Sequence, residues 1–78
     1  MEGTLNLYHI FHTVAQTGNI SLAAKELYIS QPAVSKSISR LEELLHTTLF
    51  YRSSRGVSLT AEGSLLAGQL RKAFDSIS

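Results

Sequence analysis

The chain has 78 residues, 44% of them hydrophobic, and no cysteine, so one small domain with a single core is expected, held by neither disulfides nor a thiolate zinc site. Its net charge of +1 does not by itself signal a polyanionic partner, but of seven Lys and Arg, Lys36, Arg40, Arg52 and Arg55 fall between positions 36 and 55. No basic N-terminal segment leads into an apolar run and no window approaches the ~20 apolar residues of a membrane span, so an untargeted cytoplasmic chain with no membrane partner is expected.

Leu5, Leu7, Tyr8, Ile10, Phe11, Val14 and Ala15 recur at helical spacing and predict a first helix of about three turns, with His9, His12, Thr13 and Gln16 on its polar side. Gly18 ends it. Asn19 or Ser21 then caps a short second helix, Leu22 to Tyr28, whose Ala23 and Ala24 let a neighbour approach closely. Ile29 and Ser30 turn directly into a third helix, the brief connection of a helix-turn-helix unit. Ser30 is its cap, and Pro32 sits in the first turn, where the missing N–H has no intrahelical partner in any case. At about 100° per residue, Val34, Ile38, Leu41 and Leu45 form an apolar stripe. Pro32, Ser35, Lys36, Ser39 and Glu43 fall opposite, with Arg40 at the edge.

Past Leu45, Thr48 to Arg52 is β-branched and aromatic, Ser53-Ser54-Arg55-Gly56 carries turn chemistry, and Val57 to Leu59 is again strand-like. A two-stranded hairpin is expected, leaning on the helices through Leu49, Phe50, Val57 and Leu59 because two isolated strands are marginal in water. Thr60 caps a fourth helix in which Leu66, Leu70, Ala73 or Phe74, and Ile77 recur at spacings of three and four. Gly63 and Gly68 weaken that helix, so packing must support it. Its apolar seam either pairs with a second copy of the chain or is covered by the first helix.

A helix with one apolar face and one face of hydroxyls and cations suits a DNA groove. Gln31 can pair in bidentate fashion with adenine from the first turn, or cap backbone groups locally. Ser35 and Ser39 are short enough to let the backbone approach, and each can bond a base or a phosphate, as can Lys36. Arg40 is better placed for a phosphate. Arg52 either bridges to phosphate or holds the hairpin on the helices, and Ser53 and Ser54 are phosphate contacts or ordinary turn residues. Arg55, before Gly56 at the hairpin tip, suits a narrow A-T rich minor groove, where negative potential concentrates. His9 and His12 have no third clustered ligand, so no metal is expected, and no cofactor either. Glu42 and Glu43, near a helix end, and Asp75 supply no positioned nucleophile or base, so no enzyme is expected.

Phe11, Ala15, Gly18, Ala23-Ala24, Leu27, Ser30-Gln31-Pro32-Ala33-Val34-Ser35, Ile38, Leu41-Glu42, Leu45, Leu49-Phe50, Arg52, Arg55 and Leu59-Thr60 with Gly63 resemble the N-terminal domain of LysR-type transcriptional regulators. The resemblance spans nearly the whole chain. It implies a mainly helical winged helix-turn-helix over residues 1–59, then the start of a linker and dimerisation helix over residues 60–78. It further implies sequence-specific binding of double-stranded DNA for bacterial transcription regulation, with Gln31, Pro32, Ser35, Lys36 and Ser39 toward the major groove and the capping Ser30 also among the DNA-binding residues. Arg40, Arg52 and Ser53 would meet phosphates, and Arg55 the minor groove. A homodimer is implied, as is a separate effector domain sensing a small molecule, so the chain is read as a fragment. The alternative is a winged-helix module that binds protein instead. One departure is His46, where the family usually has glycine after the third helix.

Overall fold

A computed structural model describes residues 2–77, with side chains described for residues 6–76. The elements run α1 (Glu2–Thr17), α2 (Ile20–Leu27), α3 (Gln31–Leu45), β1 (Phe50–Ser53), β2 (Gly56–Leu59) and α4 (Ala61–Ile77). Local chemistry sets most of these boundaries. Gly18, at φ 66°, ends α1 by donating its N–H to the Val14 carbonyl at 2.8 Å. The Asn19 side chain accepts from Leu22 N–H at 3.0 Å and caps α2, which thus begins at Ile20, two residues earlier than expected. That helix also ends one residue early, because Tyr28 turns into the left-handed region.

α1, α2 and α3 close on one core made of Ile10, Phe11, Val14, Ala23, Ala24, Val34, Ile38 and Leu41, completed by Leu49 and Phe50 at the start of the hairpin. Each large side chain in such a core contributes roughly 1.5–3 kcal/mol. The Phe11 and Phe50 rings meet at 5.2 Å between centroids and tie the sheet to α1. Leu45 breaks the expected stripe: it is 37% exposed. The chain leaves α3 through a left-handed cap at His46 (φ 53°), and Leu49, not Leu45, is buried in the core.

The strands pair antiparallel, Phe50 with Leu59, Tyr51 with Ser58, Arg52 with Val57 and Ser53 with Gly56. Ser53 therefore ends a strand instead of lying in the turn, which is the two residues Ser54 and Arg55, and β1 starts only at Phe50. The buried Thr60 hydroxyl donates to the Thr48 carbonyl at 2.7 Å and accepts Gly63 N–H at 3.0 Å, capping α4 and fastening it beneath the hairpin. A Cβ on Gly63 would collide with the Leu49 carbonyl, which is why this helix carries a glycine at that point.

α4 returns across α1. Leu66, Ala67 and Leu70 pack on the core, and the Phe74 ring lies 4.7 Å from that of His12 and 6.0 Å from that of His9. Two expectations change with this packing. The polar side of α1 is partly covered, and the seam of α4 is used within the chain at Leu66, Leu70 and Phe74; the Ile77 side chain, like that of Leu5, lies outside the described residues. Three helices, of which α2 and α3 form a helix-turn-helix, followed by a two-stranded wing and a C-terminal helix, make this a winged helix-turn-helix fold.

Candidate nucleic-acid interface

The N-terminal end of α3 is fixed before any partner arrives. Ser30 is extended (φ −77°, ψ 157°), and its hydroxyl accepts from Ala33 N–H at 3.2 Å, with Pro32 in the first turn. Burial of Val34, Ile38 and Leu41 turns the opposite face, with Pro32, Lys36, Ser39 and Arg40, outward; Gln31, on the side of Ile38, is exposed because it lies in the first turn, and Ser35 is half-buried. From Gln31 to Arg40 this face runs about 14 Å along the helix axis. Gln31 and Arg40 flank the stripe of Pro32, Lys36 and Ser39 on opposite sides. The Arg40 guanidinium stands 3.7 Å from the Glu43 carboxylate, both side chains well exposed, an ion pair too weakly held to fix it.

The wing closes one flank. Alternation along β1 puts Arg52 on the same face as buried Phe50, toward the helices. Arg52, Ser53, Ser54 and Arg55 line a cleft of about 360 Å³ with Asn19, Ile20, Ser21 and Gln31. At the tip, the Ser53 hydroxyl accepts from Arg55 N–H at 3.2 Å, and Gly56 takes φ 125° directly after it. A Cβ on Gly56 would lie 3.2 Å from the Gly18 carbonyl, so the wing rests closely on the end of α1. The cleft brings Gln31, Arg52, Ser53 and Arg55 together; Lys36, Ser39 and Arg40 lie outside it, farther along α3.

Two contacts here were not visible in the sequence. Ser21 accepts from the Gln31 side-chain amide at 3.3 Å, which gives Gln31 a resting partner inside the chain. Their separation of ten residues hides the pairing, although Ser21 had already stood out as a capping type. The Glu42 carboxylate accepts from the amides of Leu49 and Phe50 at 2.7 and 3.2 Å and so hangs the wing from the last turns of α3. No sequence signal names those amides as its partners. Among the described residues no group of three His, Cys, Asp or Glu converges as metal ligands would, and no helix is long and apolar enough to cross a membrane.

Comparison with known proteins gives this geometry a family. The family described as "Bacterial regulatory helix-turn-helix protein, lysR family" matches residues 5–64. The HTH-type transcriptional regulator PerR of Escherichia coli (strain K12) is 41% identical over 76 residues, covering 97% of this chain and 26% of that protein. The HTH-type transcriptional activator AmpR of Rhodobacter capsulatus is 43% identical over 74 residues, covering 95% and 26%. The chain thus spans about a quarter of the length of these relatives. Among solved structures, the CbnR_DBD–DNA complex aligns with a TM-score of 0.85 at 35% identity, covering 92% of this chain and 83% of that one. The BenM_DBD complex with catB site 1 DNA aligns at 0.87 and 33% identity, covering 94% and 82%. With its family match, its relatives and its wing-and-helix geometry in agreement, the chain belongs to the LysR family of bacterial regulatory helix-turn-helix proteins.

Proposed function

We propose that this chain binds double-stranded DNA sequence-specifically for transcription regulation, with α3 in the major groove and the wing in the adjacent minor groove. The carrying observation is the cleft in which Gln31, Arg52 and Arg55 stand beside the exposed polar face of α3. Support also comes from two similar structures that are DNA complexes, CbnR and BenM. In this reading Gln31, Ser35, Lys36 and Ser39 face base edges, and Ser30 and Pro32 bring the helix end into close approach. Arg40 and Arg52, on opposite flanks of α3, meet phosphates on the two groove walls, Ser53 adds a phosphate contact, and Arg55 enters the minor groove. A protein-interaction module has no comparable support.

Residues 1–59 form the DNA-reading unit in this proposal and residues 60–78 begin a linker helix to a separate domain that senses a small molecule. The protein works in the bacterial cytoplasm and has no catalytic role, in keeping with relatives that are transcription regulators. It acts as a homodimer through α4. Because Leu66, Leu70 and Phe74 already pack within the chain, the dimer uses the outer side of α4, where Leu65 is 67% exposed. A two-fold pair matches a roughly palindromic site.

Selection of bound duplexes from a random pool, followed by titration at increasing salt, tests the proposal. Enrichment of a defined motif is expected, with affinity falling by roughly one log unit per log unit of salt for each phosphate contacted. No enrichment, or binding indifferent to salt, would reject DNA reading by these cations.

A further inference from the structure

Tyr28 stands at φ 58°, ψ 37° with 94% of its surface exposed. A left-handed tyrosine is strained where glycine or asparagine at the same helix end is not, and a ring this exposed contributes almost nothing to the core. Neither backbone preference nor packing accounts for an aromatic residue here. The backbone that carries it is nonetheless firm. Tyr28 N–H donates to the Lys25 carbonyl at 3.3 Å and Ile29 N–H to the Ala24 carbonyl at 3.1 Å, after which Ser30 caps α3. The ring therefore stands on a fixed corner between α2 and α3, beside the end of α3 that carries Gln31.

We propose that Tyr28 is a DNA-backbone contact whose hydroxyl donates to a phosphate oxygen on the wall of the groove that receives α3, an inference that rests on the DNA-reading role of α3. Three residues of chain place the Tyr28 Cα at most about 11 Å from that of Gln31. The major groove is about 12 Å wide, so with Gln31 at the base edges a residue held within that distance, on the turn outside the helix, has the rim and its phosphates within side-chain reach. The phenol suits that position, since its flat apolar body rests on sugar while its polar tip reaches oxygen. Because tyrosine is neutral, the contact releases no counterion, which separates it from those of Arg40 and Arg52.

The test uses a duplex enriched by the wild-type chain from a random pool and a scrambled duplex of equal composition. Tyr28→Phe is expected to bind both about tenfold more weakly, leaving their affinity ratio and the salt slope unchanged. Tyr28→Asn is expected to bind at least as weakly while its Tm rises by about 4 °C, because asparagine tolerates the left-handed cap. Loss of affinity in a protein that has become more stable cannot be a folding defect. Wild-type affinity in both variants would overturn the contact, and loss in Tyr28→Asn alone would overturn the hydroxyl-to-phosphate assignment. A wild-type chain that enriches no duplex would overturn the DNA-reading role itself, a failure read before any variant is compared.

Discussion

Glu42 shows how one side chain can orient a functional element from outside it. Its carboxylate gathers two amide N–H groups from the chain entering β1, at positions seven and eight residues away. Removing it leaves both donors without that acceptor in a part-buried place, so Glu42→Ala is expected to lower stability by about 1–3 kcal/mol. Chemical denaturation measures this directly, and Glu42→Gln, which keeps an acceptor oxygen, should lose less. An unchanged midpoint for the alanine variant would mean that water replaces the carboxylate at no cost. The caps at Asn19, Ser30 and Thr60 were legible in the sequence because each bonds an amide three residues on. The partners of Glu42 and Gln31 were not, since only the tertiary fold brings them within reach.

At the scale of the element, α3 was read nearly whole because its apolar period matches the buried Val34, Ile38 and Leu41. Leu45 departs from that period because the chain turns away at His46, and there the loop's path, not helical phase, decides burial. Ile38 is fully buried, so Ile38→Ala is expected to cost roughly 2–5 kcal/mol, a large part of the stability of so small a domain. Lys36→Ala, on the exposed face, should leave the melt within about 0.5 kcal/mol of wild type while weakening DNA binding by about 1–3 kcal/mol and relaxing specificity at the base pair it reads. The opposite pattern would invalidate the assigned helical phase. The wing follows the same division of labour. Arg55→Ala is expected to weaken binding most on sites with A-T rich flanks, where a narrow minor groove concentrates negative potential. Equal losses on A-T and G-C flanks, measured by competition titration, would make Arg55 a phosphate contact instead.

The whole molecule is closed by the joint between α1 and α4, and here sequence periodicity was least informative. It showed an apolar seam on α4 but not which surface would cover it; Phe74 against His9 and His12 is the answer within the chain. That joint also makes stability depend on pH. Partial burial holds the His12 pKa below the ordinary histidine value of 6.5, the neighbouring His9 lowers it further, and Asp75 partly opposes them. The fold therefore favours the neutral imidazole, and as pH falls through about 6.5 the unfolded chain takes up the proton first. Stability is fully present above that pH and declines below it, levelling off once the folded imidazole is also protonated. Thermal melts at pH 7.5 and 5.5 bracket this window while carboxylates, with pKa values near 4, stay ionised. Wild type is expected to lose more Tm across the interval than His12→Gln, which keeps a polar side chain beneath Phe74 but cannot titrate. An equal loss in both proteins would assign the pH dependence to another group and leave the α1–α4 joint indifferent to protonation.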